Sequence, residues 1–252
     1  MSGHSKWATI RRSKGANDAK RGQLFTKLGH EIAVAVREGG ADPEANFRLR
    51  LVLDKAKQAN MPKDNIDRAI KRGSGELRGS EELQESVYEG YGPHGTAILV
   101  ETLSDNKNRT VSEVRRAFTR HGGNLGADGC VAWMFSRKGY IAIDPGDNDP
   151  EEIALIAIDS GADDVEIEDN LVQVYTQPEN LKKVQTALVE AALQPTEAEL
   201  SWIPQSTMTL DEKEAMQTMK LIEALEELDD VREVFSNLDI TDDLMAKYES
   251  AA

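Results

Sequence analysis

The stretch VEIEDNLVQV, residues 165–174, predicts two antiparallel β-strands joined by a tight turn. Apolar and acidic side chains alternate through its first half, as in a strand with one buried face. Asp169 and Asn170 favour a two-residue turn. Val172 and Val174 continue the alternation on the return strand. The stretch therefore predicts a β-hairpin, against which the neighbouring elements can be placed.

Further elements on both sides complete this hairpin into a recognised unit. A strand at 140–143 and a helix that opens at Asp149 precede it. A helix that opens at Pro178 and a strand around 200–203 follow it. The order β-α-β-β-α-β over residues 137–204 is the split βαβ, or ferredoxin-like, arrangement.

The segments that flank this unit are incomplete by themselves. Their predicted elements are strands near 87–91, 97–103 and 131–135, a helix at 110–120, a short strand near 207–210, a helix at 215–225 and a strand at 231–235. So few strands make a marginal sheet in water. We therefore expect residues 79–136 and 205–252, with a C-terminal tail, to form one α/β domain into which 137–204 is inserted.

The first 78 residues predict a helical bundle that follows a polar arm. Apolar residues from Leu24 to Val36 recur at helical spacing, and a Gly-Gly pair ends that helix. Asp42, followed by Pro and Glu, predicts the N-cap of a second helix. A third helix is predicted from about Pro62 to Gly73. Three amphipathic helices with short links form a small bundle.

Charge divides the chain at the end of this bundle. Residues 1–78 hold 17 Lys and Arg against nine Asp and Glu, a net charge of +8. Residues 79–252 hold 13 against 36, which gives −23 within the overall −15. This asymmetry predicts a polyanion-binding head held by a body that polyanions repel.

The N-terminal arm carries most of the candidate phosphate contacts. Its cations and its one aromatic side chain are Lys6, Trp7, Arg11, Arg12, Lys14, Lys20, Arg21 and Lys27. Each cation would displace a counterion from a phosphate backbone, and Trp7 would stack on an exposed base, worth about 1–3 kcal/mol. The alternative interpretation is a solvated tail, with Trp7 packed against the bundle.

The second and third helices fit a helix-turn-helix. Ala56 is small where two helices would approach, Asn60 tolerates a left-handed turn, and Ile66 would pack between the helices. The predicted exposed side of the third helix carries Lys63, Asn65, Arg68, Lys71 and Arg72. Arg and Asn suit bidentate contacts with base edges. A bundle that contacts only backbone phosphate is the competing interpretation, because many helical hairpins share this spacing.

One basic group interrupts the acidic body. Lys107, Asn108 and Arg109 precede or begin the predicted helix that also carries Arg115, Arg116 and Arg120. Free N–H groups at a helix start attract anions, which predicts a second phosphate contact. A simple N-cap by Asn108 is the alternative.

The sequence offers little support for a disulfide-bonded, metal-binding or enzymatic protein. Cys130 is the only cysteine, which excludes an internal disulfide and a Cys-based zinc site. The acidic loop 144–152 lacks the glycine and the final glutamate of a calcium loop. The four histidines show no HExxH spacing, and P-loop and dinucleotide motifs are absent. We therefore expect no catalysis, no cofactor and no metal.

Membrane association and secretion are not expected either. No apolar run approaches the roughly 18 residues of a membrane span, and no apolar stretch follows the basic N-terminus as in a secretory signal. We expect a cytoplasmic protein.

Several long blocks in register give the sequence a family resemblance. They are residues 3–8 (GHSKWA), 18–22 (DAKRG), 25–28 (FTKL), 39–46 (GGADPEAN), 59–66 (ANMPKDNI), 88–93 (YEGYGP), 108–110 (NRT), 122–126 (GGNLG) and 228–231 (LDDV). With these blocks the chain resembles the YebC family over nearly its whole length. It departs from the family at 11–17, where Arg12-Ser13 replaces the more usual His-Arg.

The resemblance implies an α+β fold class, with an N-terminal three-helix bundle followed by two ferredoxin-like α/β domains, the third domain inserted into the second. It implies a bacterial, non-enzymatic regulator that binds DNA. It also implies an alternative, since relatives look like translational activators or act on stalled ribosomes. In that case the partner would be rRNA or tRNA, and the acidic body would contact basic ribosomal proteins. A ligand-sensing module is a third hypothesis, since ferredoxin-like pairs can bind small molecules.

Overall fold

The structure is a computed structural model that describes residues 18–77, 83–168 and 171–251. For residues 18–20, 242 and 249–251 it describes the backbone alone. Two compact units make up the described chain: residues 135–205, and the remainder on both sides of that segment. The predicted contacts of the arm before Asp18 and the predicted turn at Asp169 and Asn170 lie outside the described residues.

Helices and strands alternate through most of the chain after an all-helical start. In chain order they are α1 (Asp18–Gly39), α2 (Phe47–Gln58), α3 (Lys63–Gly73), β1 (Gln84–Tyr91), β2 (Ala97–Ser104), α4 (Lys107–Arg120), β3 (Asn124–Leu125), β4 (Phe135–Ile143), α5 (Pro150–Ser160), β5 (Asp164–Glu168), β6 (Leu171–Thr176), α6 (Leu181–Glu190), β7 (Pro195–Pro204), α7 (Glu212–Glu226), β8 (Val231–Ser236) and α8 (Asp242–Ala251).

The head is the predicted bundle of three helices. The long helix α1 packs against both α2 and α3. Its core consists of Leu28, Ile32, Ala35, Val36, Leu49, Val52, Ala56, Met61 and Ala69. These residues recur every three or four positions, so each helix turns one apolar stripe inward.

The predicted N-cap of α2 was wrong. Asn46 is the cap, and its side-chain oxygen accepts a hydrogen bond from the Leu49 N–H at 3.0 Å. The Asn46 amide also donates to the carbonyl oxygen of Ala35 at 2.7 Å. Asp42 instead accepts from the Glu44 N–H at 2.9 Å in a preceding turn. A carboxylate could not replace Asn46, because it has no N–H with which to satisfy the end of α1.

The sheet of the larger unit has the order β3-β1-β2-β8, with antiparallel neighbours throughout. Helices α4 and α7 cover one face and share a core with Ile98 and Val100 of β2. Leu103 belongs to the alternate set of β2 side chains and packs with Ala33 and Val34 of α1. Strand β2 is therefore covered on both faces, and α1 is fixed to the body.

Two predicted strands of this unit are corrected. Residues 131–135 were expected to form a strand, but Ala132–Met134 is a helical turn, and the third strand is the two-residue β3. The N–H groups of Val131 and Ala132 donate to the Glu89 carboxylate, so they cannot join a β-ladder. Residues 207–210 form only an isolated bridge between Met208 and Leu238.

The smaller unit has the sheet order β5-β6-β4-β7 with antiparallel neighbours. Numbered within the unit, this order is 2-3-1-4, the ferredoxin-like sheet predicted from the hairpin at 165–174. Helix α6 buries Leu181, Val184 and Leu188, as its periodicity predicted. Because β1–β3 precede this unit and β8 follows it, the predicted fold class is confirmed.

None of the helices in the described ranges has the length and apolarity that a membrane crossing requires.

Candidate nucleic-acid interface

Helix α3 buries one of its faces in a close contact with α1. Ala69 and Gly73 are buried on that face. A Cβ atom at Gly73 would lie 2.4 Å from the Ala33 carbonyl oxygen, so the contact requires glycine. The opposite face is turned to solvent and exposes Lys63, Arg68 and Lys71.

These three α3 cations differ from several other cations of the head, which form ion pairs. Elsewhere in the head, ion pairs join Arg48 to Glu38 at 2.5 Å, Arg50 to Glu44 at 3.4 Å, and Lys57 to Asp54 at 3.1 Å. Among the residues that the structure describes, none forms an ion pair or hydrogen bond with the side chain of Lys63, Arg68 or Lys71. Their charge is available to an external anion.

The α3 face is not uniformly basic. Asp64 and Asp67 are also exposed, so the helix carries four cations and two carboxylates. Asp64 lies in the first turn and Lys71 in the last, where each complements the helix dipole. The residual positive charge is concentrated toward the C-terminal half of the helix.

Asn65 and Arg72 lie at the margin of this face and are half-buried. Burial, together with the positive charge of Arg72, lowers the pKa of His30 despite opposing effects of Asp230 and Asp105. The imidazole is therefore neutral near pH 7. It lies within electrostatic range of both Arg72, at the end of α3, and Asp105, just before α4.

The structure separates the predicted arm residues into two groups. Lys6, Trp7, Arg11, Arg12 and Lys14 lie outside the described residues. Lys20 is in α1 with its side chain undescribed, and Arg21 is exposed on the same turn. Lys27, in contrast, donates to the carbonyl oxygen of Glu226. Lys27 therefore fastens α1 to the body, and its contact with phosphate stays a prediction.

The helix-turn-helix markers occupy the places that were predicted for them. Ala56 is fully buried and Ile66 packs against the same cluster. Asn60 has a φ of 55°, the left-handed conformation expected of the turn. Entry of α3 into a DNA groove stays a prediction.

The predicted second phosphate contact is altered by the structure. Lys107 and Asn108 are exposed. Asn106, not Asn108, caps α4 by accepting from the Arg109 N–H at 3.1 Å. Arg109 itself is bound to Asp230 at 2.8 Å and to Asp105 at 3.0 Å. Its charge is compensated within the chain by a carboxylate partner that lies 121 residues away in sequence.

Farther along α4, three arginines outside the predicted site are exposed. Arg115, Arg116 and Arg120 share one side of the helix. In the sequence these arginines could be recognised only by their spacing, since positions 115, 116 and 120 share one side of an amphipathic helix. Such spacing is common on solvated faces. The structure adds that the described residues supply them with no ion-pair partner.

The described part of the chain offers no metal site, since no three of its His, Cys, Asp or Glu side chains lie close enough to hold a metal ion.

The fold and the exposed cations define a class: a basic helical head on an acidic α+β body, with one ferredoxin-like domain inserted into another. The family model for the TACO1/YebC protein N-terminal domain matches residues 5–76, and that for the TACO1/YebC second and third domain matches 83–238. The chain belongs to the TACO1/YebC family, as its resemblance to YebC predicted.

Relatives of known sequence and structure agree with this assignment. A protein of Roseiflexus castenholzii is 53% identical, with 99% of this chain and 100% of its own covered. One of Syntrophus aciditrophicus is 50% identical, with the same coverage. Both are named probable transcriptional regulatory proteins. The crystal structure of a conserved hypothetical protein from Aquifex aeolicus matches with a TM-score of 0.81 and 49% identity, covering 89% of this chain and 93% of that one.

Proposed function

We propose that this protein is a non-enzymatic, DNA-binding transcriptional regulator that acts in the cytoplasm. The observation that carries the proposal is the exposed cationic face of α3, where Lys63, Arg68 and Lys71 lack acidic partners among the described residues. In this proposal residues 1–78 bind DNA, and the acidic surfaces of residues 79–136, 137–204 and 205–252 stay clear of it.

The physical basis of binding is counterion release. Each lysine or arginine that neutralises a phosphate lowers the slope of log affinity against log salt by about 0.9 on B-DNA. Three contacts from α3 would account for a slope of about −2.7, before any contribution of the arm. Arg68 and Asn65 have the side chains that could add base contacts. The names of the relatives support a role in transcriptional regulation.

The proposal can be tested by gel retardation near 150 mM salt. Genomic fragments recovered by in-cell crosslinking should be retarded more strongly than random DNA of equal length, because nonspecific phosphate binding weakens steeply at that salt. A Lys63→Gln, Arg68→Gln, Lys71→Gln variant should lose retardation. A control with Lys183, Lys213 and Lys220 changed to Gln removes the same charge elsewhere and should retain it. Equal retardation of both variants would refute the proposal.

A ribosome-associated role in translation is the second candidate, and the acidic body favours it. The net charge of −23 on residues 79–252 is suited to contacts with basic proteins, of which ribosomes have many. The head would then bind rRNA or tRNA through the same cations. Co-sedimentation with ribosomes that is lost on deletion of residues 1–22, without selective retardation of any promoter fragment, would favour this candidate over the regulator.

A further inference from the structure

The exposed side of α4 is a basic surface on an otherwise acidic body. Ser112, Arg115, Arg116, Thr119 and Arg120 border a shallow depression of ≈ 460 Å³. All five are exposed. At a rise of 1.5 Å per residue, the surface from Ser112 to Arg120 is about 12 Å long. We call these five residues the α4 arginine face.

The arginines of this face are not neutralised from within the described chain. No described residue gives Arg115, Arg116 or Arg120 an ion pair, whereas Arg109 on the same helix is held by two carboxylates. Glu113 lies beside the face, so its net charge is at least +2. The body carries an excess of 23 negative charges and could readily supply acidic partners. Three arginines without such partners on one helix are therefore unexpected.

The chemistry of the face favours phosphate over an apolar ligand. Its only neutral members, Ser112 and Thr119, donate their hydroxyl hydrogens to helix carbonyls at 2.7 and 2.9 Å. These two short side chains lie between the arginines in the depression. The guanidinium groups present planar, bidentate donors to phosphate oxygens. A face about 12 Å long covers the axial rise of about three phosphates of one strand, since each strand carries one phosphate per about 3.4 Å of helix axis.

We propose that the α4 arginine face is a second contact for the backbone of duplex DNA, separate from the head and from Lys107. The inference rests on the proposed function. The head and α4 belong to one compact unit, and His30 is influenced both by Arg72 on α3 and by Asp105 before α4. In this proposal, one duplex contacts both the head and the α4 arginine face.

The test is the salt dependence of binding to a 30-bp DNA duplex of mixed sequence, followed by fluorescence anisotropy. An Arg115→Gln, Arg116→Gln, Arg120→Gln variant should bind more weakly than the wild type, and its salt slope should be smaller by roughly 2–3. The corresponding Arg→Lys variant should keep most of the slope. The control with Lys183, Lys213 and Lys220 changed to Gln should keep the wild-type slope. Circular dichroism checks folding, and Arg116→Gln alone should lower the slope by about one.

The outcomes separate this inference from the proposed function. If the Lys63, Arg68, Lys71 variant binds weakly but the α4 variant keeps wild-type affinity and slope, only the second contact is overturned. If neither variant differs from the wild type, both proposals fail. If the α4 variant loses affinity for an RNA duplex of the same sequence but not for the DNA duplex, the assignment to DNA is overturned.

Discussion

Arg109 and Asp230 form a bidentate ion pair within the larger unit, between two segments that the inserted domain separates in sequence. The two Asp230 carboxylate oxygens accept from Arg109 Nη2 at 2.8 and 2.9 Å. The same carboxylate accepts from the hydroxyls of Ser104 at 2.9 Å and Thr110 at 2.7 Å. Arg109 precedes the insertion and Asp230 follows it. The pair thus joins the end of β2, the start of α4 and the turn before β8.

Replacing Asp230 with Asn should therefore destabilise the protein. Only 6% of the Asp230 side chain is exposed, and the change leaves a cation and two hydroxyls without their charged acceptor. We expect a loss of about 1.5–3 kcal/mol in the free energy of unfolding, the range for hydrogen bonds to charged groups. Urea denaturation measures this loss. Asp105→Asn removes only the more exposed partner of Arg109 and should cost less than about 1 kcal/mol.

The loss of stability at acidic pH should depend on the same Asp230 carboxylate. Burial would raise the pKa of Asp230, but hydrogen bonds from Thr110, Arg109 and Ser104 outweigh it and lower the pKa. The stabilisation is present above the unfolded pKa and is lost as pH falls through the lower, folded value. Asp230→Asn should thus lose less stability than the wild type on acidification from pH 5. An identical acid profile in the two proteins would contradict this.

Gly73→Ala should weaken the head, while Gly22→Ala should not. The added methyl at Gly73 would meet the backbone of Ala33, which cannot move aside without displacing α1. We expect a cost of about 1–3 kcal/mol. At Gly22, also in a helix, nothing lies within 4 Å of the new atom. That change should stabilise by about 0.5–1 kcal/mol through helix propensity. Equal effects on thermal unfolding would contradict the close α1–α3 contact.

Stability should also depend on pH through His30. Burial and Arg72 lower its folded pKa below the ordinary 6.5, so the unfolded chain takes up the proton first as pH falls. The free energy of unfolding should decrease from about pH 7 down to the folded pKa. Arg72→Gln should reduce this decrease by removing the repulsion. An unchanged pH dependence of urea unfolding in Arg72→Gln would contradict this.

The loop between β3 and β4 depends on one carboxylate, Glu89. It accepts from the N–H groups of Gly129, Val131 and Ala132 at 2.6, 2.9 and 2.7 Å. Glu89→Gln places an amide donor among these donors and should cost about 1–3 kcal/mol. Trp133 lies in this loop, so near-ultraviolet circular dichroism should change as well. A variant with an unaltered spectrum and stability would show that the loop is held by other contacts.

Local patterns were sufficient where a single periodicity determined an element. The alternation around Val172 and Val174 gave the hairpin of the smaller unit, and the helical repeat from Leu24 gave α1. The order of those elements then limited the topology to the ferredoxin-like sheet. Asn60 was identified as a left-handed turn because few residues other than glycine tolerate that conformation.

The features that local patterns did not show arise from contacts between distant parts of the chain. Val131 has the β-branched side chain of a strand, but its N–H is taken by Glu89, 42 residues earlier. Lys27 and Arg109 are cations like their neighbours, and only the folded chain shows that Glu226 and Asp230 engage them. Cations that bind an external polyanion and cations that hold the fold together cannot be separated by composition.

The most direct test of the central claim is the salt dependence of DNA affinity for the head variant with Lys63, Arg68 and Lys71 changed to Gln. Anisotropy titrations of a 30-bp duplex between about 50 and 400 mM KCl should give a slope smaller than that of the wild type by roughly 2–3. The variant with Lys183, Lys213 and Lys220 changed to Gln should match the wild type. If the head variant keeps the full slope and affinity, the unpaired cations of α3 do not contact phosphate.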